Sequence, residues 1–309
     1  MLDPLPMSSI HVADRLNEQI SRTGSLACVG LDPRPNLIPP ALAAAALAAH
    51  GDTAEAVAAA FLAFNAGIIE VCAGRVAALK PQAACYEAYG SAGWRCLEAT
   101  VRLGREAGIP VIVDAKRGDI GSTAEHYRQA CFGGAPGLDG ATIDGLDGDW
   151  LTVNGYLGSD GITPFAGEGR GVFVLVKTSN PSSGDLQDRN LADGGSVAER
   201  MARLVADWGS ARRGTCGISD VGAVVGATWP DQARTLRRLM PDTLFLVPGY
   251  GAQGGSAADA LAGARSDGRG LVINSSRGII GAWQKSSKDW KDATLAAIEA
   301  MNADLRAAR

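Results

Sequence analysis

The sequence predicts an α/β protein in which eight parallel strands close into a single (β/α)8 barrel. Short runs of apolar, often β-branched residues recur eight times along the 309 residues, and segments with helical spacing separate most of them. Continuous apolar strands that alternate with helices are typical of a parallel sheet covered by helices. Eight repeats favour a closed barrel. A doubly wound open sheet is the alternative.

Each predicted strand is an apolar run that ends in a polar or glycine-rich turn. The eight runs cover residues 25–31, 75–80, 110–116, 149–154, 171–178, 221–226, 243–248 and 270–275. The predicted helices have apolar residues at spacings of three and four. They cover residues 53–72, 86–107, 121–133, 195–209, 230–239 and 282–306.

We interpret residues 1–309 as one barrel domain with three additions. An amphipathic helix over about residues 9–23 is expected to cap the bottom of the barrel. Two segments rich in Gly, Asp, Ser and Asn, near residues 133–149 and 181–195, are interpreted as loop insertions. The second segment follows a predicted strand, so it would lie on the catalytic face and is a candidate lid.

Composition and charge exclude several classes of protein. The chain is 46% hydrophobic and 20% charged, as globular proteins are. Its net charge is −4, without the excess of basic residues that nucleic-acid-binding proteins carry, so no nucleic-acid partner is expected. The Ala-rich run at residues 41–49 is too short to span a bilayer, and the N-terminal residues do not form a signal peptide, so no membrane partner is expected.

The cysteines point to a reducing compartment. The chain has six cysteines without a Cys-x-x-Cys pair and only three histidines, so neither a zinc site nor a disulfide framework is indicated. Cysteines without a disulfide or zinc pattern are typical of cytoplasmic proteins, and the cytoplasm is the expected location.

Charged residues end the third predicted strand. Residues 111–120 read Val-Ile-Val-Asp-Ala-Lys-Arg-Gly-Asp-Ile. Because an unpaired buried charge is costly, such a run is usually retained for chemistry. Asp114 and Lys116 are expected on one face of the strand, with Asp119 in the loop beyond. Lys80 ends the neighbouring strand and would lie beside Asp114. One such charge alone would be interpreted as a surface or ion-pair residue, but four that converge favour a function.

The alternating charges suit one type of reaction. Carboxylates on both sides favour the ammonium form of Lys116, which therefore suits proton donation better than Schiff-base chemistry. A carboxylate fixed beside it repels an anionic substrate group, and this repulsion ends when the group leaves as a neutral molecule. The array therefore suits decarboxylation followed by protonation of the carbanion.

Two glycine-rich junctions near the end of the chain predict a phosphate site. Residues 246–255 read Leu-Val-Pro-Gly-Tyr-Gly-Ala-Gln-Gly-Gly, and residues 272–279 read Val-Ile-Asn-Ser-Ser-Arg-Gly-Ile. Barrels commonly bind phosphate with the loops after strands seven and eight. Glycines there let backbone N–H groups approach, and an arginine adds bidentate charge. Gln253 and Arg277 fit these roles, and a nucleotide or sugar phosphate is the expected ligand.

With these motifs the sequence resembles the orotidine 5′-phosphate decarboxylases, in particular their longer bacterial subgroup, type 2. The matching segments run through nearly the whole chain: Cys28-Val-Gly-Leu-Asp-Pro33, Leu79-Lys-Pro-Gln82, Val113-Asp-Ala-Lys-Arg-Gly-Asp-Ile-Gly-Ser-Thr123, Val153-Asn-Gly-Tyr-Leu-Gly158, Val176-Lys-Thr-Ser-Asn-Pro181, Val247-Pro-Gly-Tyr-Gly-Ala-Gln253 and Asn274-Ser-Ser-Arg-Gly278. One departure is Asn154-Gly155, where the subgroup would be expected to have Asn-Pro.

The resemblance implies a homodimeric barrel with active sites at the subunit interface and neither a metal nor an organic cofactor. It implies conversion of orotidine 5′-monophosphate to uridine 5′-monophosphate and CO2, the last step of de novo UMP biosynthesis. Lys116 would protonate C6 of the pyrimidine, and Asp114 would face the substrate carboxylate. Lys80 would lie next to Asp114 and touch the ribose, and Asp119 would come from the partner subunit.

The resemblance also implies roles for five further residues. Asp32 would bind ribose hydroxyls, and Thr123 would reach a ribose hydroxyl across the interface. Ser179 would contact the pyrimidine. Gln253 and Arg277 would bind the phosphate.

Two alternative functions stay open at the level of sequence. A Mg²⁺-dependent sugar-phosphate aldolase or decarboxylase of the same barrel superfamily would be expected to carry an additional acid as metal ligand where this chain has Lys80. A non-catalytic barrel that binds a phosphate ligand would be expected to have a broken charge array.

Overall fold

The structure, a computed structural model, describes residues 10–309 and contains an eight-stranded parallel barrel. Its strands are β1 Ala27–Leu31, β2 Ala78–Pro81, β3 Ile112–Arg117, β4 Trp150–Val153, β5 Gly171–Lys177, β6 Val221–Val225, β7 Phe245–Val247 and β8 Leu271–Ser275. The hydrogen-bonded order is β2-β1-β8-β7-β6-β5-β4-β3. Parallel bridges from Leu79 to Val111 and from Gln82 to Asp114 join the two ends of the sheet. The predicted barrel is confirmed.

The helices surround the strands. They are α1 Val12–Thr23, α2 Pro40–His50, α3 Ala54–Cys72, α4 Ala83–Glu87, α5 Gly90–Glu106, α6 Gly121–Phe132, α7 Val197–Gly209, α8 Pro230–Leu239, α9 Ala257–Leu261, α10 Arg277–Ile280 and α11 Trp290–Ala307. Short 3-10 turns lie at Pro35–Leu37, Gly155–Leu157, Ser159–Gly161, Thr163–Phe165, Pro181–Asp185 and Ala282–Lys285.

The structure departs from the predicted helices at several places, and the short helices α9 and α10 were also not predicted. The segment predicted over 86–107 is divided between α4 and α5, because Gly90 takes a left-handed φ of 58°. The segment predicted over 282–306 begins as a 3-10 turn, and α11 starts only after Asp289, whose side chain accepts the N–H of Lys291. Helix α2 was not predicted, since its alanines carry no apolar periodicity.

Helix α1 closes the end of the barrel at which the strands begin. Its buried Leu16 belongs to the apolar cluster inside the barrel that also contains Trp150 and Phe173, whose rings lie 4.7 Å apart. The Arg15 guanidinium donates to Asp149 Oδ1 at 2.8 Å and so ties the helix to the start of β4. The predicted helix covered about residues 9–23, of which residue 9 lies outside the described part of the chain.

The outer apolar layer lies between the strands and the helices. Helix α3 is central to it, and Phe61, Phe64 and Ile68 are buried there. By length and composition α3 could cross a membrane, but half of its most apolar window is buried within the protein. It contacts α2, α5 and α11. Its apolar character therefore has a simple explanation in core packing.

The insertion at 133–149 joins α6 to β4 and so lies at the closed end of the barrel. It carries a short antiparallel pair, Ala135–Pro136 with Thr142–Ile143. Asp147 pairs with Arg105 at 2.8 Å and with Arg170 at 2.5 Å. The insertion is thereby tied to α5 and to the start of β5, away from the carboxyl ends of the strands.

We predict that Leu16→Ala lowers the free energy of unfolding by about 2–5 kcal/mol, because it leaves a cavity in the cluster inside the barrel. Urea denaturation followed by circular dichroism measures the change. Glu18→Ala on the exposed face of the same helix is the control and should change stability by less than about 0.5 kcal/mol. Equal effects of the two substitutions would contradict this role of α1.

Candidate active site

A cavity of about 760 Å³ opens at the carboxyl ends of the strands. Loops that follow different strands contribute its walls, which is where barrels place their ligands. Seven of the nine predicted site residues line it: Asp32, Lys80, Asp114, Lys116, Ser179, Gln253 and Arg277. Asp119 and Thr123 do not. The fold thus brings together residues that are separated by up to 245 positions in the sequence.

The charged residues at the floor of this cavity form one connected array. Lys80 Nζ lies 2.6 Å from Asp114 Oδ2, and Lys116 Nζ lies 2.6 Å from Asp114 Oδ1. The side chains of Lys80 and Asp114 are 5% and 8% exposed, whereas that of Lys116 is 47% exposed. The carboxylate therefore lies between a buried ammonium and one that faces the open cavity.

Each charge in the array stabilises its neighbours. Burial by itself would raise the pKa of Asp114, but the charges of Lys80 and Lys116 hold that pKa well below its usual range. Burial also opposes the charged form of Lys80, yet the carboxylates of Asp114 and Asp32 outweigh it and raise the pKa of Lys80 above its ordinary value. Asp114 and Lys80 are therefore both ionised throughout the neutral pH range.

Two uncharged residues that the sequence analysis missed complete the bonding of Asp114. Thr152 Oγ1 donates to Asp114 Oδ1 at 2.8 Å, and Gln82 Nε2 donates to Asp114 Oδ2 at 3.0 Å. Each carboxylate oxygen thus receives one charged and one neutral hydrogen bond. Alternation along the strands could have identified both residues, since Gln82 follows Lys80 by two positions and Thr152 follows the inward Trp150 by two.

The backbone of β3 is irregular at the catalytic end. Val113 pairs with Leu151 but Arg117 pairs with Val153, so four steps on β3 match two on β4. Within this bulge Lys116 takes a φ of 48°, which is uncommon for a residue other than glycine. The Lys116 N–H donates to Thr152 Oγ1 at 2.9 Å. Thr152 therefore supports both the strained backbone of Lys116 and the carboxylate that faces it.

Two buried oxygens in the cavity wall lack a hydrogen-bond partner within residues 10–309. They are Asp32 Oδ1, in the loop after β1, and Asn274 Oδ1, on β8. Strands β1 and β8 are neighbours in the barrel. Buried polar atoms in proteins are nearly always bonded, so these acceptors are available to hydroxyl or N–H donors of a molecule in the cavity.

Glycines let the neighbouring loops approach the cavity closely. A Cβ at Gly30 would lie 1.9 Å from Ser276 Oγ, directly before Arg277. A Cβ at Gly226 would lie 2.9 Å from the Cα of Ser179. A side chain at Gly30 would therefore displace the turn that carries Arg277. A side chain at Gly226 would displace the loop that carries Ser179.

No group of three His, Cys, Asp or Glu side chains within residues 10–309 is arranged to bind a metal ion. Of the acidic side chains that line the cavity, Asp114 is paired with Lys80 and Lys116.

Comparison with known proteins assigns the chain to a family. The model of the orotidine 5′-phosphate decarboxylase / HUMPS family matches residues 26–289. The chain belongs to this family. It is 43% identical to the orotidine 5′-phosphate decarboxylase of Rhodopirellula baltica over 95% of this chain and 98% of that one. It is 42% identical to that of Haloarcula marismortui, over 90% of each chain. The structure of Leishmania donovani OMP decarboxylase covers 97% of this chain and 99% of its own, with a TM-score of 0.75 and 35% identity.

Asp119 and Thr123 lie outside the cavity of their own chain in this member of the decarboxylase family. Asp119 Oδ1 accepts the N–H of Ile120 at 2.8 Å, and Thr123 is exposed in the first turn of α6. Ile120, next to Asp119 in the chain, is 51% exposed, and Tyr156 and Leu157, in the turn after β4, are 79% and 48% exposed.

The departure at Gly155 has a packing reason. A Cβ at this position would lie 2.8 Å from Met201 Sδ and 2.8 Å from Val174 Cγ1. The proline expected from the decarboxylase subgroup carries such a Cβ, so the side chains of Met201 on α7 and Val174 would have to move to admit it.

We predict that Thr152→Val lowers kcat by about 10- to 100-fold, because the Lys116 backbone and Asp114 lose a shared partner and shift within the site. Initial rates with the substrate proposed below measure it. Thr294→Val is the matched control, since the buried Thr294 donates to Trp290 O at 2.8 Å far from the cavity. A kcat of Thr152→Val within about twofold of the Thr294→Val value would contradict this role.

Proposed function

We propose that this chain decarboxylates orotidine 5′-monophosphate to uridine 5′-monophosphate and CO2, the last step of de novo UMP biosynthesis. The observation that carries the proposal is the buried Asp114 carboxylate between Lys80 and Lys116, in a cavity whose opposite wall holds Arg277 and Gln253. Membership of the decarboxylase family supports it.

The remote parts of the substrate are bound first. Arg277 supplies bidentate charge and Gln253 an amide donor to the phosphate. The unpartnered oxygen of Asp32 accepts a hydrogen bond from a ribose hydroxyl, and Lys80 lies within reach of the same sugar. Ser179, in the loop after β5, contacts the pyrimidine. Binding energy from the phosphate and the ribose thus orients the base over the array.

The reaction itself uses the charges of the array. The substrate carboxylate lies against Asp114, and this repulsion is relieved when the C–C bond breaks and CO2 leaves as a neutral molecule. The electron pair stays on C6 of the pyrimidine, where the Lys116 ammonium stabilises it and then transfers its proton to carbon. Asp114 also positions Lys116 through their 2.6 Å contact. Solvent restores the proton on Lys116, which is 47% exposed.

The array is suited to this reaction because it is fixed before the substrate arrives. Enzymes lower reaction barriers by roughly 8–23 kcal/mol, and here the lowering comes from oriented charges and not from an electron-accepting cofactor. Asp114 has four donors within 3.0 Å, so it does not have to reorganise as charge develops at C6.

We further propose that two chains form a homodimer with shared active sites. Asp119 and Thr123 would reach into the partner's cavity, where Asp119 completes the array and Thr123 binds a ribose hydroxyl. The exposed apolar residues Ile120, Tyr156 and Leu157 beside Asp119 support an interface at this surface.

The proposed location is the cytoplasm, and no cofactor is proposed. All six cysteines are free thiols, four of them buried in the core, which suits a reducing compartment. The small nucleotide is the proposed ligand, and neither a nucleic acid nor a membrane is a proposed partner.

We expect the protein to consume orotidine 5′-monophosphate in an absorbance assay that contains EDTA. Lys116→Ala should lower kcat by at least about 10³-fold, since the proton donor is lost, while binding of uridine 5′-monophosphate weakens by less than about tenfold. Lys288→Ala on the exposed surface is the control. Loss of wild-type turnover on chelation would favour the magnesium-dependent alternative, and binding without turnover would favour the non-catalytic one.

Mixing two inactive variants tests the shared site. In a heterodimer of Lys116→Ala and Asp119→Ala, one site carries both substitutions and the other carries neither. Random reassociation after mild denaturation should therefore restore about a quarter of the wild-type activity. Refolded samples of each single variant are the controls. Activity that stays at the level of the unmixed variants would contradict a site completed by the partner subunit.

A further inference from the structure

Lys177 is a buried cation that the proposed reaction does not use. It ends β5, and its side chain is 0% exposed. It does not line the cavity, although Thr178 and Ser179 directly after it do. Because a buried lysine is rarely tolerated without partners, its surroundings indicate what its charge is for.

The three hydrogen bonds of Lys177 all go to the loop after β5, and the start of α8 contacts the same ammonium group through an aromatic ring. Lys177 Nζ donates to Ser183 Oγ at 3.0 Å and to both carboxylate oxygens of Asp188 at 2.7 and 2.9 Å. It also lies 4.5 Å from the ring centroid of Trp229. Gln232 Nε2 on α8 donates to Asp188 Oδ1 at 2.9 Å. The loop after β5 and the start of α8 therefore meet around one ammonium group.

The same two elements fix the backbone that follows Lys177. Trp229 Nε1 donates to Thr178 O at 3.0 Å, and Thr228 Oγ1 donates to Ser179 O at 3.3 Å. On the other side the Thr178 N–H donates to Gln187 Oε1 at 2.9 Å. The backbone around Ser179 is thus positioned by contacts that converge on the Lys177 cluster.

The loop folded around Lys177 forms a wall of the active site. Its 3-10 turn Pro181–Asp185 and the residues after it contribute Ser182, Asp185, Leu186 and Gln187 to the cavity lining. The loop therefore contacts both the buried ammonium and the cavity. This polar segment was predicted as a candidate lid, and its Ser, Asn and Asp side chains offer little apolar area to hold it in place.

We propose that Lys177 is a positioning residue for the reaction. Its ion pair with Asp188 holds the loop of residues 178–188 against α8, so that Ser179 is presented to the pyrimidine in one geometry. This rests on the proposed function, because it takes the contact between Ser179 and the base from there. Without the ammonium, Asp188, which is 36% exposed, turns to water and the loop loses its only buried charged anchor within residues 10–309.

Lys177→Met tests the proposal, since methionine keeps an unbranched apolar stem and removes the charge. We expect kcat/KM for orotidine 5′-monophosphate to fall at least tenfold. In the Ser179→Ala background the same substitution should add less than about twofold, because both changes remove one contact. Inhibition by inorganic phosphate, bound by Gln253 and Arg277 on other loops, should stay within about twofold.

Amide hydrogen exchange gives a readout that does not depend on turnover. In Lys177→Met, peptides from residues 178–188 should exchange faster, while those from α3 stay unchanged. Wild-type turnover tests the proposed function separately. A protein that fails to decarboxylate the substrate but shows this change in exchange refutes the function and leaves the anchoring intact.

A matched lysine controls for loss of charge. Lys291 Nζ pairs with Glu70 Oε2 at 2.6 Å and lies 5.8 Å from the Trp290 ring centroid, outside the cavity. Lys291→Met should leave kcat/KM within about twofold. If Lys177→Met does not fold, Asp188→Asn, at an exposed partner, should still lower kcat/KM about threefold and speed exchange in the loop. Unchanged exchange, an unchanged kcat/KM in a folded variant, or additive effects with Ser179→Ala would overturn the proposal.

Discussion

The site depends on one buried carboxylate that is fully bonded before any ligand arrives. Asp114 sits between two ammonium groups and also accepts from Thr152 and Gln82. In a low-dielectric site the loss of any of these donors would leave a charge uncompensated, so the four groups act as a unit. The adjacency of β2, β3 and β4, and the bulge at Lys116, are the backbone features that bring them together.

The two ends of the barrel have different tasks. At the closed end, α1 and aromatic side chains fill the interior with apolar contacts. At the open end the interior is polar, the backbone of Lys116 is strained, and two buried oxygens have no partner in the described part of the chain. Strain and unpaired groups of this kind cost stability, and the packed layers elsewhere in the barrel offset that cost. Activity and stability thus reside in separate layers of one fold.

The strands were predictable because each is a continuous apolar run between turns, and burial on both faces permits little else. The array residues were predictable because charges at strand ends violate the apolar pattern. Thr152 was missed because a threonine fits a strand anywhere. Lys177 also ends an apolar run, but its partners Asp188 and Trp229 form no motif with it along the chain. Helix α2 was missed because uniform alanine has no apolar face.

The sequence by itself determined the barrel and three members of the charge array, Lys80, Asp114 and Lys116, since these follow from local pattern along the chain. Only the tertiary structure decided which groups touch. It placed Thr152 against both Asp114 and the Lys116 backbone, enclosed Lys177 between its loop and α8, and kept Asp119 out of its own cavity. These outcomes depend on strand register and loop packing, which are set by contacts between residues distant in sequence.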